Sequence, residues 1–232
     1  MKKVLDKGYV RLVDVMGSDL SVVNSARVSF NKATETLREE DIKLIHFLAK
    51  NDHTSPFRHA TLQFELYAPL MVARQWWKYI IGSSHQDPFT AWNESSRRYV
   101  TESIEFYVPS ESEWRGKPEN QKQGSGAPLG EPLGKALTEK LLLQIESGMK
   151  NYDWAIEQGV ATEQARLFIP SAYGLMVRWY WTVSLQGVAH FLTQRTDSHA
   201  QSEIRNYAET VKEIALEKFP VSVEALLKYT GK

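Results

Sequence analysis

The sequence predicts an α/β chain organised as a single domain, and three observations carry that reading. Thr61 to Tyr67 alternates cleanly, with Leu62, Phe64 and Leu66 on one side and Thr61, Gln63 and Glu65 on the other, the period of a half-buried strand. Lys135 to Gln158 sets Leu137, Leu141, Ile145, Met149, Tyr152 and Ile156 at helical spacing. Residues suited to chemistry lie on both sides of the stretch 110–134, which is rich in Pro, Gly, Ser, Lys and Glu. That stretch therefore reads as a mobile excursion from one domain spanning 1–232 rather than as a boundary.

The other elements follow in chain order. Tyr9 to Val15 reads as a strand closed by Gly17-Ser18-Asp19. Glu39 to Lys50 reads as a helix with Ile42, Ile45, Leu48 and Ala49 on one face. The strand beginning at Thr61 ends at Pro69, and Leu70 to about Ile80 reads as a helix leading into a loop at Gly82-Ser83-Ser84. Ile104 to Val108 is expected to be a strand stopped by Pro109, and Gly159 is the natural stop of the long helix. Leu175 to Leu192 reads as a largely buried helix, because Val177, Trp179, Trp181, Val183 and Phe191 leave little polar surface. Ser198-x-x-Gln201 reads as a capping box for a final amphipathic helix bearing Ile204, Tyr207, Val211 and Ile214.

Composition narrows the function classes. Lys+Arg and Asp+Glu both number 28, so no basic field draws nucleic-acid polymers or acidic membranes. Met1-Lys2-Lys3 is followed by no apolar signal core, and no apolar run approaches the ~20 residues of a membrane span, so a cytoplasmic location is expected. The absence of cysteine removes disulfides, thiolate zinc sites, Fe–S clusters and every thiol nucleophile.

One short stretch is dense in reactive groups: Arg74-Gln75-Trp76-Trp77-Lys78-Tyr79, then Asn93-Glu94-Ser95-Ser96-Arg97-Arg98-Tyr99. A core does not need these residues, because each buried polar group must find a partner. Guanidinium forks grip phosphates, and flat rings stack on flat heterocycles, so a nucleotide is the simplest fitting ligand. Arg166 and Arg195 border apolar sequence and call for an anionic or carbonyl partner. Singly, each is better read as structural, Arg195 pairing with Asp197 or Glu203, for example. Taken with Arg98, Lys78, Ser96 and Gln75, the set reads as a site for a phosphate and a base edge. The turn His53-Thr54-Ser55-Pro56-Phe57 reads locally as a capped turn, and His199 as a surface or packing histidine. The six histidines have no metal-ligand spacing, so no metal is expected, and the seven tryptophans read mainly as core.

From about Tyr9 to about Tyr229 the chain resembles the flavin-dependent thymidylate synthases. The likeness rests on Val72-Ala73-Arg74-Gln75-Trp76, Asn93-Glu94-x-Ser96-x-Arg98-Tyr99, Ala165-Arg166-x-x-x-Pro170, Phe191-Leu192-x-x-Arg195 and Asp197-Ser198-His199-Ala200-Gln201, all in the family's order. Two departures stand out. The family's Arg-His-Arg triplet is Lys78-Tyr79-Ile80 here, with fifteen residues before Ser96 where the family has seven, an added segment of roughly Gly82 to Trp92. Ser184 and Gln186 replace an Asn and an Arg that many members place near the flavin, and His190 stands at another flavin-side position.

The resemblance implies a single α/β domain, a mixed sheet wrapped by helices. It implies a dUMP site made of Gln75, Trp76, Trp77, Lys78, Glu94, Ser95, Ser96, Arg97, Arg98, Arg166 and Arg195. It implies an FAD site made of His53, Ser55, Lys78, Tyr79, Ile80, Glu94, Ser184, Leu185, Gln186 and His190. The implied partners are dUMP, methylenetetrahydrofolate, NADPH and further copies of the chain in a homotetramer whose active sites lie between subunits. The implied reaction is reductive methylation of dUMP to dTMP, with FAD reduced by NADPH as hydride source and Arg195 as the catalytic group that polarises the uracil. The missing thiol agrees independently, since activating C5 of uracil by cysteine addition at C6 is closed to this chain. A non-enzymatic nucleotide or single-stranded nucleic-acid binding module is the alternative, and the zero net charge counts against it. A nucleotide hydrolase lacks a visible metal site or activated nucleophile.

Overall fold

The strand expected from Thr61 lies at the centre of the sheet. In the computed structural model, which describes residues 1–30, 32–81, 90–95, 103–119, 124–170 and 172–229, the chain opens with β1 (Lys2–Val4), β2 (Gly8–Met16), α1 (Asp19–Ala26) and α2 (Glu39–Lys50). A 3-10 turn (Ser55–His59) leads into β3 (Thr61–Pro69), then α3 (Leu70–Trp76), α4 (Lys78–Ile81) and β4 (Ala91–Glu94). The remainder is α5 (Glu131–Glu157), α6 (Thr162–Ala165), β5 (Met176–Ser184), α7 (Leu185–Arg195), α8 (Ser202–Lys218) and α9 (Pro220–Tyr229). The strands form one sheet in the order β1-β2-β3-β5-β4. All four pairings are antiparallel, so the mixture in this fold is of strands with helices and not of strand directions.

Alternation along the central strands decides the core. Leu62, Phe64 and Leu66 of β3 and Trp179, Trp181 and Val183 of β5 are buried on one face. The register sets Phe64 opposite Trp181 and Leu66 opposite Trp179, with the Phe64 and Trp181 rings stacked at 5.8 Å. The other face is polar: Glu65 accepts hydrogen bonds from Tyr9 and Arg11, and Arg11 reaches Tyr180 at 3.2 Å. Burial raises the Glu65 pKa, but bonds from Tyr9, Arg11 and Tyr180 outweigh it and hold the carboxyl below its ordinary range.

Helices cover the apolar face. Trp76 of α3 is fully buried, stacked on Phe191 of α7 at 4.2 Å and edge-on to Trp181 at 5.2 Å. Helix α8 is fitted so closely that a Cβ at Gly8 would fall 1.7 Å from the Tyr207 hydroxyl, which donates to the Tyr67 carbonyl at 2.8 Å. The long α5 is different. Only Gly134, Gly148 and Ala155 are buried along it, while Leu142, Leu143 and Trp154 stand 49%, 64% and 57% exposed.

Several sequence expectations need correction. The helix expected over Leu175 to Leu192 is β5 followed by α7. Trp179, Trp181 and Val183 recur every second residue, and that strand period, with aromatic and β-branched side chains, outweighs the apolar character of the run as a whole. Ile104 to Val108 forms no strand. Its part in the sheet region is one bridge, Phe106 to Leu175, beside bonds from Tyr107 N to Gly174 O and Met176 N to Glu105 O. The helix read from Ser198 begins at Ser202, with Gln201 as the N-cap residue, because Asp197 instead accepts from the His199 N–H and closes a separate turn. The helix expected over 70–80 is broken at Trp77, and Ile42 on α2 is exposed. Helix α5 starts at Glu131, four residues early, and ends as expected before Gly159, whose φ is +81°. The described parts of 110–130 fold back on themselves, with Gly116 N to Ala127 O at 2.9 Å and Leu129 N to Trp114 O at 2.8 Å.

The two ends of the domain meet at Asp19. This buried carboxylate on the first residue of α1 accepts from Val221 N at 3.1 Å and Ser222 N at 2.9 Å, satisfying donors at the start of α9. Replacing it leaves those donors buried without an acceptor. Asp19→Ala should therefore cost about 1–3 kcal/mol of unfolding free energy, read from the urea midpoint at unchanged m-value. A variant within a few tenths of wild type would show that the cap contributes nothing.

Candidate active site

The same contact that buries Trp76 sets the two walls of a cavity of about 710 Å³. One wall comes from α3 and α4 with Gln75 and Lys78. The other comes from the end of α7 and the following turn, with Thr193, Gln194, Arg195, Asp197, His199 and Gln201; Gly124 closes one side. Because α3 ends at Trp76, with Trp77 held by a 2.9 Å bond to the Ala73 carbonyl, successive side chains fan outward. Trp76 faces the core, Gln75 and Lys78 face this cavity, and Trp77 faces a second one.

Arg195 is the unusual member. Its guanidinium carbon lies 5.2 Å from the centroid of the Tyr79 ring, and its Nε is buried with no hydrogen-bond partner among the described residues. The acids that could have neutralised it are engaged elsewhere. Asp197 holds the His199 ring at 2.7 Å and its N–H at 2.8 Å, and Glu203 pairs with Arg115. The His199 backbone N–H, then its ring, hold the Asp197 carboxyl below its usual range, so this turn keeps its charge until the pH falls beneath that range. Tyr79 donates to Gln194 Oε1 at 2.9 Å and meets His190 edge-on at 5.6 Å. Burial raises the Tyr79 phenol pKa, against an opposing pull from Arg195, so its proton stays in place at neutral pH.

The sequence-derived residues separate into groups. Gln75, Lys78 and Arg195 come together. Trp77 and Glu94 line a smaller cavity of about 350 Å³ with Leu70, Ala73, Arg74 and Trp92. There Trp77 meets Trp92 edge-on at 5.1 Å, and Trp92 stacks on Trp179 at 4.7 Å. Arg166 is exposed, its Nε donating to the Glu163 carbonyl at 3.0 Å, beside Leu167 at 84% exposure. Ser95 is exposed and bound by its N–H to the Arg178 carbonyl. Ser96, Arg97, Arg98 and the Ile80 side chain lie outside the described residues. Trp76 is a core residue, with both neighbouring aromatic layers already in contact.

The residues expected around a flavin follow α7. Ser184 and Leu185 are fully buried, and Ser184 caps the helix by accepting from Gly187 N at 3.2 Å. These two shape the helix start from beneath. Gln186 accepts from Arg58 Nε at 2.6 Å, tying α7 to the 3-10 turn. His53 and Ser55 at that turn are exposed, with the His53 ring edge-on to Phe47 at 6.0 Å. Among the described residues no three His, Asp or Glu side chains gather as a metal site. Sequence reasoning missed Gln194 and Arg115, and it offered Glu203 to Arg195 where the structure pairs it with Arg115. Gln201 carried a signal in the Asp197-Ser198-His199-Ala200-Gln201 run, but its capping interpretation hid a side chain aimed at Gln75.

Residues 11–221 match the family described as thymidylate synthase complementing protein. The chain belongs to that family. Among its relatives, a flavin-dependent thymidylate synthase of Thermosipho africanus is 40% identical over 99% of this chain and 95% of its own length. One from Thermotoga neapolitana is 39% identical, again over 99% and 95%. A crystal structure of the UMP/dUMP methylase PolB from Streptomyces cacaoi bound with 5-Br dUMP superposes with a TM-score of 0.82 at 28% identity, covering 98% of this chain and 97% of the other.

Within a thymidylate synthase complementing fold, an arginine whose Nε is buried without an acceptor is a liability unless something else fills that role. Arg195→Met removes the Nε donor and loses the contact with Tyr79, cation–π and hydrogen bond together about 1–2 kcal/mol, offset by relief of the buried Nε. Its denaturation midpoint should lie within about 1 kcal/mol of wild type or above it. A loss of several kcal/mol would assign Arg195 to structure.

Proposed function

We propose that the protein carries out reductive methylation of dUMP to dTMP, with methylenetetrahydrofolate as carbon donor and FAD reduced by NADPH. The observation that carries the reading is Arg195: a guanidinium held against Tyr79, with its Nε buried and without an acceptor among the described residues, at the seam of a cavity shared with Gln75 and Lys78, in a chain with no cysteine. C5 of uracil is a poor nucleophile in the neutral ring. A thiolate route would activate it by addition at C6, and that route needs a cysteine. A fixed guanidinium offers another means, since its N–H donors fit a ring carbonyl oxygen and stabilise negative charge there as the ring polarises. Lys78, exposed at the cavity rim, supplies the cationic point for an anionic substrate. The hydrophobic floor under Tyr79 and Phe191 keeps Arg195 from full hydration, which strengthens its field.

FAD, when bound, supplies the redox chemistry that the protein's own side chains lack. The donor set suits such a group: a tyrosine ring, an imidazole and a glutamine amide follow one flank of α7 at Tyr79, His190 and Gln186. His53 and Ser55 extend this set at the adjoining turn. With Lys78-Tyr79-Ile80 in place of the family's charged triplet, binding there relies on ring contact more than on ion pairing.

The separation of the site residues favours a homotetramer whose subunits complete one another's sites. In a single chain Arg166, Trp77 and Glu94 stand apart from Gln75, Lys78 and Arg195. Leu167, Phe168 and Tyr173 near Arg166, with Leu143 and Trp154 on α5, leave apolar surface that another copy would cover. Ser95, Ser96, Arg97 and Arg98 join the dUMP side in this reading. The absence of thiols and of a basic field suits a cytoplasmic enzyme acting on a mononucleotide.

The reading is tested by dTMP formation from dUMP and methylenetetrahydrofolate with NADPH, with and without FAD. Turnover should require the flavin, and turnover indifferent to it would sink the mechanism. Arg195→Lys should keep flavin content and assembly while losing about 10²–10³ in turnover. A nucleotide-binding module without enzyme activity would bind dUMP, retain no flavin once free FAD is removed by desalting, and make no dTMP.

A further inference from the structure

Behind the main cavity a chain of hydrogen bonds runs away from Gln75. Gln75 Nε2 donates to Gln201 Oε1 at 2.7 Å and to the Met71 carbonyl at 3.2 Å. Gln201 Nε2 donates to Glu203 Oε2 at 2.8 Å. The other oxygen of the buried Glu203 carboxylate takes an ion pair from Arg115. Arg115 is fixed in turn by Ser125 Oγ at 2.8 Å and the Glu113 carbonyl at 3.2 Å, both in the described parts of the 110–130 segment.

The polarity of this chain has a chemical cause. An ionised carboxylate only accepts, so Gln201 must turn its NH₂ toward Glu203 and its oxygen toward Gln75. Gln75 must then point its NH₂ at Gln201, and the Met71 carbonyl, which also only accepts, imposes the same orientation independently. Both amide N–H groups are thereby engaged. Gln75 lines the cavity, and its remaining side-chain polar atom, the acceptor Oε1, has no partner among the described residues.

We infer that Glu203, anchored by Arg115, is a positioning residue that works through Gln201 to lock Gln75 as a hydrogen-bond acceptor for a donor of the bound nucleotide, either uracil N3–H or the sugar hydroxyl. This rests on the dUMP reading and adds a specificity device to it. Lone glutamines rotate their amides and serve donor or acceptor alike. A buried anion two links away removes that freedom and rejects ligands that present an acceptor at this point. Arg115, which does not line this cavity, thus acts on it through Glu203, Gln201 and Gln75.

The test uses the full chain with FAD. Glu203→Gln replaces an acceptor-only group with one that donates or accepts, and Gln201→Met removes the middle link while leaving the ion pair with Arg115 intact. Each should weaken dUMP binding, measured by calorimetry, by about tenfold, the value of one well-placed hydrogen bond. Turnover at saturating dUMP should stay within about threefold, because Arg195 is untouched. The same titrations with N3-methyl-dUMP and with 2′,3′-dideoxyuridine monophosphate identify the donor. For whichever analogue lacks it, wild type and variants should bind alike. Equal penalties for dUMP and both analogues, or wild-type dUMP affinity in Gln201→Met, overturn the inference. Should Glu203→Gln fail to fold, Gln201→Met decides alone. Wild-type protein that neither binds dUMP nor makes dTMP removes the underlying reading, an outcome distinct from variants that match an active wild type.

Discussion

The Trp76 indole lies 4.2 Å from the Phe191 ring and edge-on to Trp179 and Trp181, so one aromatic cluster joins α3, α7 and the central strand pair. The α3 and α7 groups of the main cavity take their positions from that join. Gln75 and Lys78 flank Trp76 on one side, while Gln194 and Arg195 follow Phe191 by three and four residues on the other. Large rings with few rotamers hold such a junction with little residual motion. The three indole N–H groups of Trp76, Trp179 and Trp181 lack acceptors among the described residues, a cost that tight ring packing offsets.

Polar groups in this domain divide by how completely they are satisfied. On the outer sheet face Glu65, Tyr9, Arg11 and Tyr180 answer one another, and the Asp197–His199 turn closes on itself. The Arg195 Nε has no acceptor among the described residues, where Asp197 is committed to His199 and Glu203 to Arg115. An enzyme that must stabilise charge appearing only during reaction gains from a donor left unmatched at rest, because a resident counter-ion would have to be displaced first. In the proposed reaction the counterpart of that donor is the pyrimidine ring.

Strands and helices with a clear period were legible from sequence: Thr61–Tyr67 by its alternation, Glu39–Lys50 by its helical face, Gly159 as a stop. The error over 175–192 has a definite source. Trp179, Trp181 and Val183 keep the period of two, but Tyr180 between them is large and aromatic, so the alternation is masked when apolar character alone is read. In the site, Gln75, Lys78 and Arg195 were legible as a set because their types are costly in a core. The roles of Glu203 and Arg115 were not, since 88 residues separate them and their pairing exists only once α8 packs beside the segment 110–130. Trp76 was ambiguous for a related reason: a ligand-stacking ring and a core ring have the same sequence signature until burial is known.

The bonds from Val221 and Ser222 to Asp19 join residues 202 and 203 positions apart. During synthesis α1 therefore leaves the ribosome with its carboxylate uncapped, although the 55–59 turn and α2 that it packs against follow soon after. At the ~5–20 residues per second of translation this interval lasts ~10 seconds or more, long relative to hydrophobic collapse. Nascent chains of this protein thus pass through a stage in which the Asp19 carboxylate waits for α9. Chaperone engagement and premature termination would act most strongly in that interval, so the yield of active protein depends on completing α9 as well as on the stability of the finished domain.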